Sequence, residues 1–348
     1  MNSPNRALYA YLYQSPATNQ LSYFSQQLIK KFLDNNQGDV ELPIGWKKDK
    51  DIVYWVVPRK VKLNGRTQQI FDYIVMQFTS KVPAKASKEV IDANKELTLD
   101  LREISNLFKI TMRNTRNMVI ASIRSLQNIK IRQLNIAIKE KKEKPLDATV
   151  WESVILQGVG CSVTENLISN SKTKVLLGDK LAEYLPTASI MPLCLSLFSI
   201  NTSKYPNAYA IGRHLNILFK MNYYKPRRNT VTVKELLEVA PSIPKYETLI
   251  QEGNVYQRII APFIRDMNIL VNNNVLKEWY LIDNVTNEKY EEQRSKISYH
   301  KFKLMKVFFD FQDFPMKELN HVKWDEPLDN KNSIVNSSGK SFKITYLK

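Results

Sequence analysis

The chain carries the same short series of elements twice. LTLDLREISNLFKI (97–110) is similar to NTVTVKELLEVAPSI (229–243), and IASIRSL (120–126) is similar to IAPFIRDM (260–267). The period, roughly 130–140 residues, is too long for a solenoid and fits a duplicated domain. With 348 residues there is room for two domains with real cores. A hydrophobic content of 43% and an aromatic content of 10% are those of a globular chain, not a disordered one.

In the first copy, RTQQIFDYIVMQFT (66–79) has Ile70, Ile74 and Phe78 on one helical face. A polar connector follows. Asp100 with Glu103 then makes a capping-box-like start for a short helix that buries Leu101, Ile104 and Leu107 or Phe108. After a break, ITMRNTRNMVIASIRSL (110–126) is an amphipathic helix. QNIKIRQLNIAIK alternates apolar and polar residues, with a phase slip near Arg132 and Gln133 that predicts a bulge. EKKEKP is a charged turn, and TVWESVILQGVG returns as a strand. Three helices followed by a two-stranded ribbon with a charged tip is the order of a winged helix-turn-helix. The second copy repeats it. KYPNAYAIGRHLNILFKMN (204–222) is a helix burying Ile211, Leu215 and Leu218, and Thr232 with Glu235 is a T-x-x-E capping box. VYQRIIAPFIRDMNIL is the third helix, and VLKEWYLIDN with SYHKFKLMKVFFDF forms the second ribbon.

The expected fold class is α+β: two tandem winged helix-turn-helix domains, mostly helical with small antiparallel β-ribbons. Leu21, Phe24, Leu28 and Phe32 predict an N-terminal helical segment over 1–45, and DIVYWVVPRKVKL follows as a β-rich run. The first winged-helix domain spans 46–195 and the second 196–325, with the joint between Ser189 and Ser203. Residues 326–348 are Asn/Ser-rich and read as a flexible tail with a short last strand.

A net charge of +17 and a pI of about 9.6 call for an anionic partner, nucleic acid first and an anionic membrane surface second. Its distribution narrows the choice. On a helical wheel Met112, Val119, Ile123 and Leu126 fall on one side, Arg113, Asn117, Arg124 and Asn128 on the other, with Asn114 and Arg116 flanking. A polar helix face is ordinarily just solvated. This one has no acid from Thr111 through Gln133. Arg and Asn are the side chains that donate paired hydrogen bonds to guanine and adenine edges, and they stand at the start of the third helix, where a helix-turn-helix reads bases. In the second copy Asn254, Arg258, Ala261, Arg265 and Asn268 share a face, opposite Ile260, Phe263, Ile264 and Met267. Asp266 dilutes that charge, and Pro262 bends the helix or marks its first turns. The runs Lys109–Lys144 and Lys204–Arg228, the latter holding Arg213, Arg227 and Arg228 with no acid, suit phosphate contacts. Lys141 and Lys142 at the wing tip follow a DNA backbone or minor groove, or form a plain solvated turn.

Other chemistry finds little support. His214, His300 and His321 are far apart, with no H-x-H or H-E-x-x-H. The two cysteines, Cys161 and Cys194, exclude a disulfide framework and a cysteine-rich zinc site, and their apolar surroundings read as buried thiols in a reducing cytoplasm. There is neither a secretory signal nor an apolar run of about eighteen residues, so a membrane span is not expected and the localisation reads as cytoplasmic. SSGKS (337–341) has Ile334 where a phosphate loop needs its first glycine. Asp310 and Asp313 in FFDFQDF read as outward acids of a strand rather than metal-binding carboxylates. YAYLY (9–13) packs against a neighbouring domain or stacks on unpaired bases. No catalysis, cofactor or metal is expected.

RIIAPFIRDM, through Arg258, Pro262 and Arg265, and KYPNAYAIGRHL, through Tyr209, Ala210 and Arg213, resemble the tandem winged-helix replication initiator (Rep) proteins of theta-replicating plasmids and related mobile elements. The resemblance covers about residues 55–310 and leaves 146–200 unmatched. It implies a sequence-specific partner, double-stranded DNA carrying origin repeats, with one winged helix in each of two successive major grooves. It also implies opening of an A·T-rich segment, recruitment of the host replicative helicase and its loader, and a homodimer that represses its own gene. On this reading Arg113, Asn114, Arg116 and Asn117 make base or groove contacts, Arg124 meets adjoining phosphates, and Arg258 and Arg265 serve in the second domain. The alternatives are a winged-helix transcriptional regulator, a DNA-processing enzyme such as a primase, and a basic structural or membrane-surface protein.

Overall fold

The computed structural model describes residues 9–14, 40–48, 51–58, 61, 63–135, 149–159, 171–249, 254–291, 297–312, 314, 334–335 and 341–342. The first half runs β1 (Tyr9–Gln14), β2 (Val40–Lys48), β3 (Asp51–Val57), α1 (Gly65–Thr79), α2 (Lys88–Asn94), β4 (Glu96–Asp100), α3 (Leu101–Phe108), α4 (Met112–Gln127), β5 (Lys130–Asn135), β6 (Thr149–Val154) and β7 (Leu156–Val159). β8 (Lys172–Leu177), α5 (Asp179–Tyr184) and β9 (Ser189–Cys194) lead to the second half. That half contains α6 (Pro206–Met221), β10 (Thr230–Thr232), α7 (Val233–Val239), a π-helical turn (Tyr256–Ile260) continuing as α8 (Ala261–Asn272), β11 (Leu276–Ile282), α9 (Tyr299–Leu304) and β12 (Lys306–Phe311), with short β13 (Ile334–Val335) and β14 (Ser341–Phe342) last. The result is mixed helix with small antiparallel sheets, in the orders β2-β3-β5-β6, β4-β8-β7, β10-β12-β11 and β14-β13-β1-β9.

In the first half the expected helices form, but the ribbon is part of the four-stranded sheet β2-β3-β5-β6, and TVWESVILQGVG breaks at Ile155 into β6 and β7 of two different sheets. Asn64 caps α1 by accepting from the Thr67 amide at 3.0 Å. Asp100 caps α3 by accepting from the Arg102 amide at 2.8 Å. Glu103 does not close a capping box; it accepts from the Tyr73 hydroxyl at 2.9 Å, and burial raises its carboxyl above the ordinary range. The polar connector holds α2, and LTLD is β4, paired with β8. Strands β5 and β6 pair with a register shift between Gln133 and Leu134, one residue beyond the expected slip. Between β6 and β7, the Ile155 amide donates to Ile129 (3.1 Å) and its carbonyl accepts from the Gly178 amide (3.0 Å). Gly178 lies so close to this bend that a Cβ would stand 1.7 Å from the Val154 carbonyl oxygen. Gly178→Ala forces backbone apart and is expected to cost about 3 kcal/mol, read as a lowered midpoint of thermal unfolding.

In the second half Thr232 caps α7, its hydroxyl accepting from the Glu235 amide at 3.2 Å. Glu235 turns to His214 Nε2 at 3.1 Å. SYHKFKL is not a strand. Ser298 accepts from the Lys301 amide at 3.3 Å and starts α9, which buries Phe302 and leaves Leu304 exposed. The cap overrides the alternation of His300, Phe302 and Leu304, and the ribbon consists of β11 and β12.

Between the halves the structure departs furthest from the sequence expectation. YAYLYQ, inside the segment read as helical, is β1, because its edges find partners distant in sequence: β9 from Tyr9↔Cys194 to Gln14↔Ser189, and β13 at Tyr9↔Val335. Leu21, Phe24, Leu28 and Phe32 lie outside the described residues. The expected joint, Ser189–Ser203, is β9 followed by a 3-10 turn (Leu195–Ser199), with Leu197 and Phe198 fully buried. The Phe198 ring meets Tyr73 and Phe108 of the first half and Tyr209 of the second. Burial pushes the Cys194 thiol up to about 11; Cys161 is outside the described residues.

Candidate nucleic-acid interface

α3 and α4 are joined by a tight turn. Lys109 takes a left-handed conformation (φ 52°), and the Ile110 amide closes back on the Ser105 carbonyl at 3.1 Å. Thr111 caps α4, its hydroxyl accepting from the Asn114 amide at 3.4 Å and its carbonyl from the Thr115 amide at 2.8 Å. Thr115, Val119, Ser122, Ile123 and Leu126 are buried, and the helix packs on α1 and α3. Arg113, Asn114, Asn117, Arg124 and Asn128 are exposed and Arg116 is half-buried. Met112, placed on the apolar side by the wheel, is exposed at the first turn. Among the described residues no carboxylate pairs with Arg113, Arg116 or Arg124, so the face keeps its charge and its donors free of ion pairs. Two other cations of the same run are spent: Lys130 and Arg132 both pair with Glu152, at 2.6 and 2.5 Å. Lys141 and Lys142 lie outside the described residues.

The third helix of the second half begins at Asn254, whose left-handed backbone (φ 61°) starts the chain into the π turn. Pro262 lacks an amide donor, and the turn just before it is widened so that the Ala261 amide reaches back to Tyr256. The helix is therefore continuous through the proline. Asn254, Gln257, Arg258, Arg265, Asn268 and Asn272 are exposed along one side, while Ile260, Phe263, Met267 and Leu270 are buried. Asp266 pairs with Arg265 and so dilutes the charge of this face, but from inside the fold. It is fully buried, accepting from the Asn207 amide (3.2 Å) and side chain (2.8 Å) at the start of α6. Its second oxygen accepts from Arg265 Nε at 2.8 Å, and the Arg265 guanidinium lies 5.5 Å from the Tyr205 ring centre. Arg265 is thus braced on one edge, with side-chain exposure of 47% left for its outer nitrogens. Asn268 accepts from Trp279 Nε1 at 2.9 Å, which fixes its amide on β11.

The basic run of α6 and the loop after it divides. Arg227 is exposed, its carbonyl accepting from Thr230. Arg228 donates to the Tyr223 carbonyl at 3.0 Å and stacks its guanidinium 4.6 Å from the Tyr223 ring centre. Arg213 leaves the surface altogether, 1% exposed and bound to Asp72. Sequence periodicity missed Asp72, Gln68 and Gln69, all buried on α1. The signal was present as a single acid inside the apolar run IFDYIVM. Asp310 lies on alternating β12, its carboxylate near Asn229 at 3.5 Å. Among the described residues no group of three His, Cys, Asp or Glu side chains is placed to hold a metal. No described helix is long and apolar enough to cross a membrane.

Two helices with basic exposed faces, α4 in the first half and α8 in the second, are each backed by a small antiparallel sheet. No protein-family model matches the chain, and no curated protein is similar to it. Among solved structures it is similar to the Pi initiator protein in complex with iteron DNA, with a TM-score of 0.40 and 10% identity over 77% of this chain and 100% of that one. It is also similar to domains 2 and 3 of RctB, with a TM-score of 0.38 and 12% identity over 86% of this chain and 99% of that one.

Proposed function

We propose that this chain is a sequence-specific, double-stranded DNA-binding replication initiator, built from two tandem winged helix-turn-helix domains. The observation that carries the proposal is the α4 face. It displays Arg113, Asn114, Arg116, Asn117 and Arg124 without a carboxylate partner among the described residues, on a capped helix one tight turn after α3. Its charge suits an anionic partner, and its donors match guanine and adenine edges. Arg258, in the π turn before α8, and Arg265, paired on one edge with Asp266, are the corresponding cations of the second half. The initiator role follows the resemblance at Arg258, Pro262 and Arg265. With it come binding to origin repeats, origin opening, recruitment of the host replicative helicase and its loader, a dimeric state, and action without catalysis of its own. The test is selection of duplexes from a random pool by the full chain, followed by titration in rising salt. Enrichment of one motif, with log K falling linearly against log salt, is expected. Equal affinity for all duplexes would leave a non-specific basic protein.

A further inference from the structure

A fully buried ion pair lies between the two halves. Asp72 of α1 is fully buried and accepts from Arg213 Nε (2.7 Å) and Nη2 (3.0 Å), from the Tyr209 hydroxyl (2.6 Å) and from Gln68 Nε2 (2.9 Å). Arg213 and Tyr209 are both on α6. Burial, and then the Asp72 charge, raise the Tyr209 hydroxyl well above its ordinary value, so it stays a donor. A buried ion pair contributes little over a well-packed apolar pair, because desolvation offsets the attraction. What the two-pronged Arg–carboxylate contact supplies is one distance and one angle.

The surroundings reinforce that geometry. Gln69 Nε2 lies 3.1 Å from the carbonyls of both Leu197 and Ile200 in the connecting turn. β1 is tied to the first half by the Tyr13 hydroxyl on the Val82 carbonyl (2.6 Å) and to the second by the Tyr9 hydroxyl on the Gln312 carbonyl (2.6 Å). Asn216 and Lys220 of α6 donate to the Pro192 and Ile190 carbonyls of β9. α1 packs directly on α4, and α6 packs directly on α8. The path from one basic face to the other is therefore α4, α1, the Asp72–Arg213 contact, α6 and α8.

We propose that this contact holds α4 and α8 at one separation and one angle, so that the protein measures the spacing between two DNA segments. Asp72, Gln68, Tyr209 and Arg213 are positioning residues for that spacing and touch no DNA. The proposal rests on the function proposed above. Its test uses the full chain and the duplex selected by the wild type, with one, two or five base pairs inserted between the two contacted segments, and a duplex with one segment alone. Linked sites add about 10²–10⁴ in affinity, and this is lost when geometry forbids simultaneous engagement. Wild type is expected to lose about 100-fold on insertion. Asp72→Leu with Arg213→Met is expected to lose less than about tenfold, with unchanged affinity for the single segment. Arg213→Lys, which keeps the charge but not the two-pronged geometry, is expected to relax the spacing as well. A wild type indifferent to insertion, or an Arg213→Lys protein as strict as wild type, overturns the proposal. Absence of any single-segment preference in wild type would instead sink the DNA-reading function itself.

Discussion

Asp72→Leu alone is expected to lower the unfolding free energy by about 3–5 kcal/mol, whereas Asp72→Leu with Arg213→Met recovers most of that loss. The single change leaves the Arg213 guanidinium in a site where it is 1% exposed, with its carboxylate partner gone. It also removes the acceptor of the Tyr209 hydroxyl at 2.6 Å and of the Gln68 amide at 2.9 Å. The double change removes the uncompensated charge and leaves two apolar side chains in the buried core. Denaturant unfolding of the two proteins beside wild type measures the coupling. Equal destabilisation by single and double variants would mean that the contact is not an ion pair in the native protein.

Arg113→Ala with Arg116→Ala is expected to weaken binding to the selected duplex by about 2–6 kcal/mol, since each arginine that pairs with a guanine edge discriminates by about 1–3 kcal/mol. Binding to random duplex should fall far less, by the two lost charges, and the salt slope should shrink by about two. The fold should be indifferent, because Arg113 is exposed, Arg116 is half-buried, and neither has a carboxylate partner among the described residues. Competition binding with selected and random duplexes separates the cases. Equal losses on both would reduce α4 to a phosphate contact.

Much of the scaffold was legible because it depends on local signals. Caps at Asp100 and Thr232, the 3.6-residue period of α1, α4 and α6, and the slipped alternation of β5 all act within a few residues. The parts that were not legible depend on partners far along the chain. Tyr9–Tyr13 becomes a strand only because β9 lies beside it, some 180 residues away in sequence by the Tyr9↔Cys194 pairing. The supposed joint reads as apolar residues with serines, yet Gln69 and Phe198 make it core. The basic surface was overcounted for the same reason. Arg213, Arg228, Lys130 and Arg132 look alike in a charge run, but their internal partners Asp72, Tyr223 and Glu152 stand elsewhere in the sequence. Asp266 dilutes the charge of Arg265, as the sequence suggests, but from a buried position beside Asn207 that periodicity does not show. On α4 no such partner intervenes among the described residues.

Hydroxyl-radical footprinting of the selected duplex, with wild type and with each pair of arginines removed, tests most directly whether two helices read two segments. Two protected blocks with centres about one helical turn, 10–10.5 base pairs, apart are expected for wild type. Arg113→Ala with Arg116→Ala should uncover one block, and Arg258→Ala with Arg265→Ala the other. A single block, or equal fading of both blocks in both variants, would contradict the assignment of α4 and α8 as separate readers of DNA.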